Sequence, residues 1–184
     1  MERDLVLRAK AGDHDAFSEL ARGVIGRLYA AARLILRDAE RAEDATQEAL
    51  VAAWRDLSAL RDPDRFEAWL HRLLVRTCYR EARRGRRRWA VETKVRGSVT
   101  YEADPAEDLA DRDQLERGFR RLDVDQRTII VLHYYLGLTL DEAADALGIP
   151  PGTARSRLHR ATHALRAALD ADARVPSKNE RRLA

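Results

Sequence analysis

The segment Leu140–Arg160 constrains the fold more tightly than any other, because its small, flexible and apolar residues fall where two short helices must cross at a sharp angle. Ala144 is small at the crossing point, Gly148 supplies the backbone freedom for the turn, and Ile149 and Leu158 plug the angle between the helices. Pro150 and Pro151 stand at the start of the second helix, where a missing amide donor costs little. This is the spacing of a helix-turn-helix. At about 100° per residue, Ala154, Leu158, Ala161 and Leu165 share the inner face of the second helix. Ser156, His159, Arg160 and His163 share the outer face, flanked by Arg155 and Arg157. Thr153 and the first amides lie where a phosphate oxygen binds a positive helix end, while Arg155, Ser156, His159 and Arg160 are placed to reach base edges in a major groove. An ordinary helical hairpin with a solvated basic face is the plainer alternative, and the small residue, turn glycine and basic outer face together favour a DNA reader. His159 and His163 also have metal-ligand spacing, but the sequence offers no convincing third ligand and no cofactor is expected.

The remainder reads as helical too, so the expected fold class is all-α: two small helical domains joined by a flexible linker, the C-terminal one containing the helix-turn-helix. Charged residues make up 35% of the chain and the apolar part is rich in Ala and Leu, which suits charged-surface helices rather than sheets. Phe17, Leu20, Ala21, Val24, Ile25, Leu28 and Ala32 recur at helical spacing and suggest two helices joined near Gly23 to Gly26. Asp38 is placed to cap a helix running to about Leu57, and Pro63 with its neighbouring aspartates makes 58–65 a loop. A helix from Phe66 to about Arg84 buries Phe66, Trp69, Leu70, Leu73 and Cys78 or Tyr79, and Gly85 is expected as its left-handed cap. Periodicity resumes at Leu115, Phe119 and Leu122, and Gly137 ends a helix holding Ile129, Ile130, Leu132, His133 and Leu136. The expected division is a first domain over 1–90, an acidic linker over 91–112, a helix-turn-helix domain over 113–172 and a disordered tail over 173–184.

Charge distribution says more than the net charge of +3. Basic residues gather in Arg80–Arg88 and Arg155–Arg166, separated by the acidic stretch Glu102–Asp113, as expected of two polyanion-binding modules on a tether. Arg76, Arg80, Arg83 and Arg84 form a stripe suited to phosphates. No apolar run approaches the roughly 20 residues of a membrane span, and Met1–Gly12 has no signal-peptide core, so no membrane insertion and a cytoplasmic protein are expected. No phosphate loop, nucleophile elbow or paired nucleophile and base is present, and the lone Cys78 lies on a core face, so neither an enzyme nor a small-molecule substrate is expected.

One helix carries a second pattern: over Asp38–Trp54, Glu40, Asp44, Gln47, Glu48 and Val51 form one stripe and Ala42, Ala45, Ala49 and Ala52 another. This stretch, Phe66-Glu-Ala-Trp-Leu-His-Arg72 and Leu122–Arg166 together resemble, in order and over nearly the whole chain, an extracytoplasmic-function (ECF) sigma factor of the sigma-70 family. The resemblance implies a non-catalytic specificity subunit of RNA polymerase, cytoplasmic and nucleoid-associated in holoenzyme, with core polymerase (beta-prime coiled coil and beta subunit) and promoter DNA as partners. It implies Asp44, Gln47, Glu48 and Val51 as polymerase contacts, with Trp54 partly core. The loop around Arg61 and Asp62, and the helix bearing Arg76, Arg80, Arg83 and Arg84, would then recognise the −10 element. Thr153, Arg155, Ser156, His159 and Arg160 would read the −35 element. Family members often carry Asn and Asp where this chain has Arg76 and Arg80, so a −10 base preference does not transfer. An anti-sigma factor is a further partner implied by resemblance, although no residue identifies its type. The rival reading is a conventional helix-turn-helix regulator that binds operator DNA without polymerase; it leaves the pattern of the first domain unexplained.

Overall fold

A computed structural model describes the backbone of residues 2–96 and 110–173, and the side chains of 3–85 and 115–171. Most of the expected linker and tail, and the side chains of Arg86–Arg88, lie outside the described residues. All described regular elements are helical: α1 (Glu2–Lys10), α2 (His14–Leu36), α3 (Ala39–Asp56), α4 (Phe66–Arg96), α5 (Ala110–Arg120), α6 (Val124–Ile130), α7 (Leu140–Leu147) and α8 (Pro151–Ala173). Two 3-10 turns, Leu57–Ala59 and Pro63–Arg65, fill the expected loop, and a π-helical turn, Val131–Tyr135, extends α6.

Local chemistry sets most of the boundaries. Asp13 and Asp38 accept hydrogen bonds from the amides of Ala16 and Arg41, each at 3.0 Å, which satisfies donors that the first helical turn leaves free. Asp123 with Gln126 and Thr139 with Glu142 form reciprocal capping boxes at the starts of α6 and α7. Gly148 ends α7 at φ 66°, a left-handed conformation in which a Cβ would be strained. Trp54 is half-buried, stacked against Phe17 and His14 with ring centroids 5.0 and 4.4 Å away.

Two expected boundaries are corrected. Gly23 and Gly26 do not separate two helices; α2 runs through both, because Leu20, Leu28, Ala31, Ala32 and Ile35 bury along it and packing outweighs about 1 kcal/mol of intrinsic cost per glycine. Gly85 is not a left-handed cap, since α4 continues past it to Arg96. A Cβ there would stand 1.8 Å from Nη1 of Arg41, so the missing side chain makes room for the arginine that crosses over it. The break in α2 comes instead at Arg37, a non-glycine residue at φ 59° whose amide closes the helix onto the Arg33 carbonyl.

Helices α1–α4 pack around Val6, Leu28, Ile35, Ala45, Ala49, Leu70 and Leu74; α5–α8 pack around Phe119, Ile129, Leu132, Ala144, Ala154 and Ala161. Buried apolar residues from both halves join in one cluster. It is continuous because α7 and α6 lie on α4, and α6 and the π turn lie on α2.

Candidate nucleic-acid and polymerase interface

The helix-turn-helix places its reading residues as the spacing requires. Ala144, Ala154 and Ala161 are fully buried where α7 and α8 meet, and Ile149, Leu158 and Leu165 pack on that core from its edge. Such close packing fixes the direction in which the outer face of α8 points. Arg155, Ser156, His159, Arg160 and His163 are all exposed, and Thr153 is half-buried in the first turn of α8. Ser156 Oγ donates to the Thr153 carbonyl at 3.0 Å and Arg160 Nε to the Ser156 carbonyl at 3.3 Å, bonds that water or a base edge can replace. Arg157 differs from its neighbours. It turns inward, 21% exposed, and lies 3.7 Å from the Asp125 carboxylate.

The candidate polymerase-contact stripe lies on the side of α3 opposite the buried Ala42, Ala45 and Ala49. Asp44 and Gln47 are exposed, and Val51 is 64% exposed, an unusual place for a branched apolar side chain and one suited to a partner surface. Glu48 stands apart from these, because its carboxylate is 2.5 Å from the guanidinium of Arg80 on α4. The expected polymerase stripe and the expected DNA stripe therefore meet through an ion pair. The spacing within each helix carries no trace of it.

Arg76, Arg80, Arg83 and Arg84 do gather on one face of α4, where they line a cleft of about 570 Å³ with Val75 and Tyr79. Its opposite wall is Asp145, Ala146, Leu147 and Gly148, the end of α7 and its turn. Arg84 is also tied to Glu81 at 2.6 Å, and Glu81 is otherwise buried. Arg61 and Asp62 are not in this cleft. They are exposed in the loop before α4, where the Asp62 side chain accepts from the amide of Asp64 at 3.1 Å and caps the 3-10 turn.

Several groups at the seam between the two halves were not singled out as functional from the sequence. Arg127 Nε donates to the Ile35 carbonyl at 2.6 Å and its Nη1 to the Leu122 carbonyl at 2.5 Å. Burial, with Arg37 nearby, lowers its pKa to about 10, so the guanidinium stays charged at neutral pH. Arg27 Nη2 donates to the Leu136 carbonyl at 3.1 Å. The Tyr79 hydroxyl is buried beside Asp125 and Thr128 without a hydrogen bond of normal geometry, and burial raises its pKa. His71 is buried, its Nδ1 has no partner, and burial holds its pKa below 6.5 despite Glu67 and Glu142 nearby. Burial pushes the Cys78 thiol up to about 12, which leaves it protonated and unreactive.

Comparison with known proteins accounts for both halves. Residues 20–88 match the sigma-70 region 2 family and residues 112–165 the sigma-70 region 4 family. The chain is 32% identical to the ECF RNA polymerase sigma factor SigM of Mycobacterium tuberculosis, over 87% of this chain and 80% of SigM. It is 33% identical to the RNA polymerase sigma factor CnrH of Cupriavidus metallidurans, over 93% and 95% of the two chains. Its fold matches CnrH in complex with the cytosolic domain of CnrY, with a TM-score of 0.65 and 31% identity over 93% of this chain and 98% of that one. It also matches the sigma factor RpoE in complex with the anti-sigma factor NepR from Bartonella quintana, with a TM-score of 0.69 and 27% identity over 85% and 98%. A helix-turn-helix with an open basic face, a helical domain with an acidic stripe and an arginine face, and these matches in both halves lead to one conclusion: the chain belongs to the ECF RNA polymerase sigma factors of the sigma-70 family.

Proposed function

We propose that this chain docks on the beta-prime coiled coil of core RNA polymerase through Asp44, Gln47, Glu48 and Val51, with further contacts to the beta subunit, and confers promoter selectivity without catalysing a reaction itself. The first domain, 1–90, takes the −10 element through Arg61, Asp62, Arg76, Arg80, Arg83 and Arg84. The helix-turn-helix domain, 113–172, takes the −35 element through Thr153, Arg155, Ser156, His159 and Arg160. Residues 91–112 span the distance between them inside the enzyme. Two weak sites on one tether act as one strong site, because binding of the first raises the effective concentration of the second.

The observation that carries this reading is the outer face of α8, where Arg155, Ser156, His159 and Arg160 stand exposed over a tightly packed alanine core. Arginine pairs with guanine through O6 and N7, while the exposed helix start suits a phosphate. The working compartment is the bacterial cytoplasm, and no helix among the described residues is long and apolar enough to cross a membrane. Both sigma factors whose structures are cited above were solved with a second protein, RpoE with an anti-sigma factor, and an anti-sigma factor is proposed here as a further partner.

Site-specific photocrosslinking in reconstituted holoenzyme on promoter DNA tests the assignment. A benzophenone amino acid at Val51 should capture the beta-prime subunit, one at Ser156 the upstream element, and one at Arg76 the downstream element. Capture of protein from Ser156, or of DNA from Val51, would contradict it.

A further inference from the structure

Where the end of α2 meets α5 and α6, four arginines gather with too few carboxylates to balance them. Arg37, the residue that ends α2, lies within electrostatic reach of Arg33, of Arg120 at the end of α5 and of Arg127 on α6. Arg33, Arg37 and Arg127 are half-buried, and Arg120 is exposed. Among the described residues none of the four forms an ion pair. The acidic groups that reach them are Glu116 and Asp123, two negative charges against four positive, and the Asp123 carboxylate is already taken by the Gln126 amide at 2.7 Å. Asp38, next in the chain, is paired with Arg41 at 3.2 Å. The negative end of the α2 dipole accounts for one guanidinium, and Arg127 takes that place on the Ile35 carbonyl. It does not account for the other three. Arg37 is also the only non-glycine residue at positive φ among the described residues, a conformation that glycine adopts more readily. Burial, then the positive charge of Arg120, with Arg33 behind it, lowers the Arg37 pKa, while Glu116 offsets part of this. Its surroundings in the free fold therefore disfavour its charge.

We propose that Arg33, Arg37, Arg120 and Arg127 form a binding site for a free diphosphate-bearing metabolite, of the class of nucleoside diphosphates and polyphosphates. Planar guanidinium groups match phosphate oxygens two at a time, and four converging groups supply more donors than a single carboxylate can accept. An excess of two positive charges calls for a ligand with more than one negative charge, which adjacent phosphates provide. Three of the four heads are half-buried at a helix end, a setting that favours a small anion over a nucleic-acid backbone.

Isothermal titration calorimetry of the full chain with inorganic pyrophosphate, ADP and AMP, in metal-free buffer of low ionic strength, tests the site. Pyrophosphate and ADP should bind at a single class of site, and AMP about tenfold more weakly or worse, because it forgoes charge-assisted hydrogen bonds. Arg37→Gly is the decisive variant, since it removes the guanidinium and keeps a residue suited to the left-handed turn. It should lower pyrophosphate affinity by about tenfold or more and unfold no earlier than the parent on heating. Arg120→Gln should act in the same direction, and it decides if Arg37→Gly does not fold. Arg22→Gln, at an exposed position about three turns back along α2, should bind as the parent does. No binding of pyrophosphate to the parent, or equal affinity in Arg37→Gly, Arg120→Gln and Arg22→Gln, would overturn the site. Equal affinity for AMP and ADP would overturn the diphosphate assignment. Displacement of pyrophosphate by a single-stranded oligonucleotide at lower concentration than by ADP would give the site to nucleic acid instead.

Discussion

The two arginine-bearing surfaces carry similar chemistry, both exposed, but in different company. On α8, Arg155 and Arg160 stand exposed. On α4, Arg80 is held by Glu48, Arg84 by Glu81, and all four arginines share a cleft with the end of α7. The difference teaches that, if both surfaces bind DNA as proposed, the α8 face needs no rearrangement, whereas Arg80 and Arg84 on α4 must first exchange a carboxylate for a phosphate.

The comparison is broken most severely at the docking stripe. Reversing two charges with Asp44→Arg and Glu48→Arg should weaken core-polymerase binding by several kcal/mol, read by fluorescence anisotropy, since like charges across an interface are strongly unfavourable. Glu48→Arg also releases Arg80, so Asp44→Arg alone is the cleaner arm. Unchanged affinity would remove the stripe from the docking surface. Next in size is Ala144→Leu, which forces a larger side chain into a fully buried crossing of α7 and α8 and should cost about 1–3 kcal/mol of stability in denaturant titration. A stability equal to the parent would mean the crossing is loosely packed and does not aim the outer face.

Arg160→Ala sharpens the contrast between reading and mere attraction. Holoenzyme binding to matched and mismatched −35 elements should lose about 1–3 kcal/mol of discrimination at one base pair, whereas Arg76→Ala should weaken all sequences alike and reduce the salt slope by about one. Uniform weakening by Arg160→Ala would make it a phosphate contact instead. Smaller again, Thr139→Ala removes the cap and half of the capping box of α7 and should cost about 1 kcal/mol, measured by thermal unfolding.

The smallest effect concerns acidity at the seam. His71 has a folded pKa below its unfolded value of 6.5, so the unfolded chain binds more protons as pH falls through that value. Its neutral form is compatible with full stability above about 6.5, and stability is lost below it. His71→Phe should flatten the dependence of unfolding free energy between about pH 7 and 5.5; an identical slope would place the titration elsewhere.

What the sequence made legible was local. Asp38, Gly148 and the alanines of α7 and α8 act through neighbours three or four residues away, and those distances are visible in a one-dimensional pattern. The outer face of α8 followed from the same periodicity. Gly23, Gly26 and Gly85 misled because glycine marks a break only where packing does not hold the helix together, and packing is a property of the partner helices. Arg127 and Ile35 are 92 residues apart, and Arg27 and Leu136 are 109 apart, so no periodicity connects them. The inward turn of Arg157 belongs to the same class, since Asp125 lies on a different helix. Family likeness supplied the polymerase and the promoter; the closure of one domain on the other came from coordinates alone.

The most direct test of the central claim is transcription of a genomic fragment library by core RNA polymerase with and without this protein, with the RNA starts sequenced. New, sharply positioned starts that share two upstream elements at a fixed spacing, and that are lost with Asp44→Arg, are the expected result. No new starts, from a core enzyme shown competent with another sigma factor and a chain shown to be folded, would contradict it.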